Sequence, residues 1–207
     1  QRAYLLEWNE RELLAQQLIG EHDFDWFNLG WRGMYAQSSR NSPDRREYTY
    51  VRRSDGVFYF PGQSSASRNY SESDDDIYSF DTDLTFPLLD TDTWKWNVAT
   101  GVSYYDQERE SQTRRYSFRP TDDADLTAPP EDLLDPDDIG DTLEVSDQTQ
   151  TNDEYSGEAT VSGSYLKTDL DWSDTVRVMV GARRETADFS VATFQAGGSQ
   201  GGQRVEA

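Results

Sequence analysis

The sequence contains no cysteine, so neither a disulfide framework nor a thiolate site is available to it. That absence fits the cytosol, but many cell-envelope barrels also lack cysteine, so it does not assign a compartment. A single histidine, His22, excludes zinc centres built on several histidines and any Cys/His nucleophile pair. Basic residues are scarce: 19 Lys and Arg face 40 Asp and Glu, a formal charge of -21. A nucleic-acid binder needs a basic patch to neutralise phosphates, so this balance argues against one and favours cations, basic proteins or neutral ligands. No apolar run approaches the roughly 20 residues of a membrane helix. There is no Gly-x-Ser-x-Gly elbow and no phosphate-cradling glycine loop. With carboxylates everywhere, an Asp/Glu pair carries no information about hydrolysis. Enzyme activity is not expected, and no cofactor or metal is implied.

What the sequence does have is aromatics, 13% of residues, recurring inside alternating runs, whereas disordered acidic chains are poor in them. The clearest run is Tyr155 to Arg184. Tyr155, Gly157, Ala159, Val161, Gly163 and Tyr165 alternate with Ser156, Glu158, Thr160, Ser162 and Ser164, the period of a half-buried strand. After the polar corner Trp172-Ser173-Asp174-Thr175, Val176, Val178, Val180 and Ala182 alternate with Arg177, Met179, Gly181 and Arg183. The two read as an antiparallel hairpin, with Val161 and Val178 on its apolar side and Ser162 and Arg177 on its polar side. Leu166, Leu170 and Trp172 fall in the opposite phase to Tyr165, which predicts a bulge or strand end near there.

The same alternation recurs along the chain. Tyr4 to Gly20 reads as a strand, although Leu13, Leu14 and Leu18 would also suit one face of a helix. Phe27 to Ala36, Tyr78 to Phe86 and Trp94 to Tyr104 are strands, giving about six in all. Two long polar excursions interrupt them, about residues 37–69 and 107–153. Asp55-Gly56 favours a tight hairpin turn in the first, and Pro130 to Leu134 a single helical turn in the second, since proline and acids suit a helix start. The acidic stretch Asp135 to Gly140 begins like a calcium loop, but Ile139 and Ser146 occupy positions where ligands belong, so a solvated loop is the better reading. Gly197 to Gly202 reads as flexible.

Connections therefore alternate between short and long. Six of the seven prolines lie in the long ones, and aromatics cluster beside every short one: Trp26, Trp94, Trp96 and Trp172, with Phe24 and Phe27. Short turns at one rim, long loops at the other and an aromatic girdle at the water interface describe a transmembrane β-barrel of antiparallel up-and-down strands. Arg32, Asp81, Asp83, Lys95, Asn97, Glu158, Arg177 and Arg183 would then line the lumen, hydrating or cross-linking its wall. Tyr48, Tyr50, Phe58, Tyr59, Tyr116 and Phe118 in the long loops would either contact a ligand or pack the loops together. Alternation alone is also compatible with a secreted soluble β-sandwich binding module, or with a structural wall piece of a multi-chain envelope assembly.

Several segments resemble the middle of the barrel domain of TonB-dependent outer-membrane receptors: Trp8-Asn9-Glu10-Arg11-Glu12-Leu13-Leu14, Gly20-Glu21-His22, Ser42-Pro43-Asp44-Arg45-Arg46, Leu133 to Gly140, Tyr155-Ser156-Gly157-Glu158 and Gly181-Ala182-Arg183-Arg184. The resemblance spans nearly all of residues 1–207. It implies a large barrel of around 22 strands with a plugged lumen, set in the bacterial outer membrane. It also implies energised uptake of a scarce ligand such as a metal chelate, glycan or peptide. About six strands, without a plug domain or a terminal aromatic strand, describe only part of such a receptor, because the smallest single-chain barrels have about eight. The start at Gln1 likewise suggests a processed product or a piece of something longer. The expected partners are therefore the rest of the barrel and its plug, the TonB complex through that plug, and outer-membrane lipid.

Overall fold

In the computed structural model the described residues are 1–62, 65–135, 137, 139–173, 175–194 and 200–206. Ten strands, β1 (Arg2–Leu6), β2 (Glu10–Asp23), β3 (Asn28–Arg52), β4 (Phe58–Tyr59), β5 (Ala66–Asp90), β6 (Trp94–Pro120), β7 (Leu143–Asp147), β8 (Glu154–Trp172), β9 (Val176–Phe194) and β10 (Gln200–Glu206), accompany one helical turn, α1 (Pro130–Leu133). All the named strand pairings are antiparallel. The fold is all-β, an open antiparallel sheet in the form of part of a barrel wall.

The sheet is simpler than its strand count suggests. β1 and β2 both pair with β3, at Arg46–Tyr50 and Asn28–Asn41 respectively, so they occupy one edge column. β7 and β8 likewise share β6. The columns then follow the chain, in the order β1/β2, β3, β5, β6, β7/β8, β9, β10. The segment Glu10 to Gly20, ambiguous between helix and strand, is paired along its whole length. α1 is where proline and two acids place a helix start.

The ladders run further than the apolar alternation. β3 and β5 are 25 residues each and β6 is 27, against the roughly 9–11 that cross a bilayer. Much of residues 37–69 and 107–120, expected as loop, is therefore strand, and the long connections are shortened to those that carry β4, between β3 and β5, and α1 and β7, between β6 and β8. Ladder hydrogen bonds join backbone groups, so they persist where both faces are polar and alternation gives no signal. Asp55-Gly56 does turn a hairpin, with Arg53 N donating to Val57 O at 2.8 Å, Gly56 at φ 93° and Val51 opposite Tyr59.

Nor does a bulge interrupt β8. It pairs without a shift to β9 from Tyr155 opposite Thr193 to Trp172 opposite Val176, and to β6 as far as Trp94. Register shifts fall instead at Ser42/Arg45 and Pro87/Leu89. The change of phase near Leu166 is a change in which face is apolar.

The buried apolar cluster lies at the long-connection end: Tyr48, Tyr50, Phe60, Ala66, Phe118, Leu133 and Leu143. Phe60 and Leu143 are fully buried. Phe60 N donates to Leu126 O and Tyr50 Oη to Ala128 O, each at 2.9 Å, so the second long connection is fastened onto the first.

Candidate membrane band and the opposite face

Directly opposed residues of an antiparallel pair share a face, so the registers sort the side chains of the turn-proximal half of the sheet. One face carries Leu18 on β2; Leu29, Trp31 and Tyr35 on β3; Tyr78, Phe80, Leu84 and Phe86 on β5; Trp94, Trp96, Val98, Val102 and Tyr104 on β6; Leu166, Leu170 and Trp172 on β8; and Val176, Val178 and Val180 on β9. These side chains form a continuous apolar band, and much of it is uncovered: Leu18 is 71% exposed, Val180 62% and Leu166 58%.

Both margins of the band are aromatic. At the short turns Phe24 stacks on Phe27 with centroids 4.5 Å apart, Trp26 lies 4.4 Å from Phe27 and 5.9 Å from Phe86, and Trp94 stacks on Trp172 at 5.8 Å. Trp96 Nε1 donates to Thr168 Oγ1 at 2.7 Å. The four tryptophans singled out in the sequence thus converge at one margin. The opposite margin was not anticipated: Tyr35 and Tyr78 lie 4.9 Å apart, with Tyr104 near their level on β6. Tyr35 Oη donates to Asp76 at 2.9 Å and Tyr104 Oη to Asp106 at 3.3 Å. Counting eight to ten residues beyond each short turn would have found these tyrosines. The ten residue steps from Trp94 to Tyr104, at about 3.4 Å each and tilted about 40°, rise roughly 26 Å, close to the ~25 Å apolar band of an outer-membrane barrel.

Beyond the tyrosines the same face turns acidic. Asp76, Glu108 and Glu158 lie in one register row and Asp74 opposes Glu110. Like charges directly opposed are destabilising unless water screens them, so the apolar band ends at this level.

The other face of the turn-proximal half is polar and largely paired. Arg32 bridges to Asp81 at 3.4 Å, Arg177 to Asp169, and Arg183 to Glu185. Lys95 opposes Asp171. Tyr165 crosses above Gly101 and donates to Asp83, and a Cβ on Gly101 would meet Tyr165 Cε1 at 2.5 Å and the backbone O of Thr82 at 2.6 Å. Only glycine fits beneath that tyrosine. Of the eight expected lumen residues, Arg32, Asp81, Asp83, Lys95, Asn97, Arg177 and Arg183 share this face, whereas Glu158 belongs to the opposite one. Val161 is corrected too: it opposes Ala187 on the face of Arg177, while Val178 shares its face with Ser162.

Of the loop aromatics, Tyr48, Tyr50 and Phe118 are buried in the cluster and closed to a ligand; burial pushes the Tyr50 phenol up to about 12. Arg2 lies 4.3 Å over Phe58, Arg53 4.4 Å over Tyr59, and Tyr70 meets Tyr116 edge-on at 6.0 Å. Ion pairs reinforce this end. Asp44 accepts from Arg46 at 2.9 Å and from Arg68 at 2.6 Å, and the Arg46 hydrogen bond above all holds its carboxyl down at about 2. Arg115 likewise lowers Asp153. Among the described residues no group of three or more His, Asp or Glu could hold a metal ion; Pro136 and Asp138 of the acidic stretch, Asp174 of the third short turn and residues 197–199 of the glycine-rich stretch lie outside them.

No protein-family model matches the chain and no curated protein matches its sequence. Its fold is similar to that of solved structures, among them the siderophore receptor PiuA from Acinetobacter baumannii, at 14% identity and a TM-score of 0.54. That likeness, one of fold, covers 97% of this chain and 29% of the receptor's, so the chain spans under a third of the length of the protein it matches.

Proposed function

We propose that the chain is part of the barrel wall of a TonB-dependent outer-membrane receptor, serving energised uptake of a scarce ligand. The observation that carries this reading is the apolar band, bounded by aromatics at both margins and confined to one face of a single sheet whose other face is charged. A soluble sandwich would cover such a face with a second layer, and among the described residues none lies over it. Tryptophans at the short turns form the periplasmic girdle and Tyr35, Tyr78 and Tyr104 the outer one. The strands then stand well clear of the bilayer, and residues 53–62, 121–135 and 139–153 contribute to an outer cap. The receptor function is supported by the fold likeness to a siderophore receptor and by the segment resemblances in the sequence. A metal chelate is one member of the ligand class; a glycan or peptide is another. The remaining strands, the plug and the TonB complex complete the transporter.

Single cysteines in the full-length protein in outer membranes test the wall assignment. A lipid-soluble probe is expected to label Val178→Cys and Val180→Cys, and a water-soluble one Arg177→Cys and Met179→Cys. Protection of Val178→Cys and Val180→Cys from the lipid-soluble probe would remove the membrane reading, and recovery of the protein as a soluble monomer without detergent would return the sandwich.

A further inference from the structure

On the face opposite the band, beyond the paired wall, β2 and β3 bring Arg11 directly opposite Arg40. Two cations in that relation have Cβ atoms about 4.5–5.5 Å apart and repel each other. Of the other arginines of this face, Arg32 pairs with Asp81, Arg109 with Asp75, Arg115 with Asp153, Arg177 with Asp169 and Arg183 with Glu185, and Arg119 stands opposite Glu144 rather than another cation. The Arg11 side chain has no hydrogen bond or ion pair among the described residues. Arg40 is steadied by Asn9 Oδ1 at 3.2 Å, with the nearest carboxylate oxygen, on Glu7, 3.9 Å away. In a chain with 40 acidic and 19 basic residues, a carboxylate would have been the ordinary residue opposite either arginine.

The pair borders a hollow of about 580 Å³ whose walls include Ser38, Ser73, Ser111 and Tyr155, a volume within the range of small-molecule sites. Its carboxylates are Asp75, taken up by Arg109 at 2.6 and 3.0 Å, and Glu12. Guanidinium forks beside hydroxyl donors match an oxyanion, which offers acceptors to both and relieves the repulsion between the arginines.

We infer that Arg11 and Arg40 form a binding site for a small oxyanionic ligand, a carboxylate or phosphate, which seats in this hollow. The inference rests on the barrel-wall reading, since a wall is what turns this face toward the lumen.

The full-length protein purified in detergent should be titrated calorimetrically with succinate, inorganic phosphate and, as a neutral control, glucose. At least one anion is expected to bind while glucose does not. R11Q and R40Q should each weaken that binding tenfold or more, and R32Q, which removes a paired arginine on the same face, should leave it within twofold. The β circular-dichroism spectrum checks that each variant is folded. Absence of binding by both anions, or wild-type affinity in either R11Q or R40Q, would overturn the site. Failure of the wall reading is seen separately, as a protein soluble without detergent.

Discussion

The two ends of this sheet solve the burial of apolar surface in opposite ways. Toward the long connections, apolar side chains turn inward on one another: Phe60 and Leu143 are fully buried, and ion pairs such as Asp44 with Arg46 and Arg68 surround the cluster. Toward the short turns the described residues form no such cluster, and Leu18, Leu166 and Val180 stand exposed on one face while charges pair on the other. The same strands run through both regions, and the barrel-wall reading attributes the difference to the medium that this face meets. β8 shows it within one element: Ser156, Glu158 and Thr160 share a face with Leu166, Leu170 and Trp172. Its amphipathicity reverses along its length, the pattern that the barrel-wall reading expects where water gives way to hydrocarbon.

If the long-connection end is held by a true core, emptying it should have the largest effect. Phe60→Ala should lower the stability of that end by about 3–5 kcal/mol. Hydrogen exchange should show faster opening of residues 121–133 and 139–147 with the band's amides unchanged. Loss of protection at both ends together would make the two regions one cooperative unit and remove the contrast.

If the turn-proximal end is solvated by lipid, adjacent residues should differ sharply. Arginine at Val180, near the middle of the band, should reduce folding stability in lipid vesicles by about 2–4 kcal/mol, whereas arginine at Met179 on the opposite face should be nearly neutral. Equal effects at the two sites would break the assignment of faces.

A smaller effect tests packing on the polar face. Gly101→Ala should destabilise by about 1–3 kcal/mol, because the added methyl meets the Thr82 carbonyl as well as the Tyr165 ring. Combining it with Tyr165→Phe should leave the penalty in place, since the backbone oxygen remains. Full relief by Tyr165→Phe would locate the clash in the Tyr165–Asp83 hydrogen bond instead.

Much of this was legible in the sequence, and the failures share a cause. Period-2 alternation located the cores of six strands and the tryptophan margin, because one face there is apolar and the other polar. It missed the upper reaches of β3, β5 and β6, where Ser38, Ser39, Arg40 and Asn41 are polar on both faces and only backbone pairing defines the strand. It misjudged the hairpin of β8 and β9 by assuming that one face stays apolar throughout, which joined Val161 to Val178 and required a bulge where the pairing is regular. Tyr48, Tyr50 and Phe118 could not be told from ligand-contacting aromatics because their burial depends on connections distant in sequence. The Arg11–Arg40 apposition is a matter of register, which alternation does not specify.

The smallest expected effect is of pH, and it too should separate the two ends. Asp44 lies beyond the band, about 29% exposed, with its carboxyl held at about 2 against an ordinary 3.8 by Arg46 and Arg68. A carboxyl whose pKa is lower in the folded state contributes stability above its unfolded value and loses it as pH falls through the folded one. Asp153, lowered by its hydrogen bond from Arg115, acts in the same direction. Exchange at the long-connection end should therefore quicken between about pH 4 and pH 2, while the band, whose outer face has no charges to titrate between the tyrosine and tryptophan margins on β5 and β6, should hold. Partial exposure keeps the change modest. Asp44→Asn and Asp153→Asn together should weaken the response, and an acid transition that is unchanged in the double variant, or that opens the band first, would place the acid-sensitive contacts outside these two ion pairs.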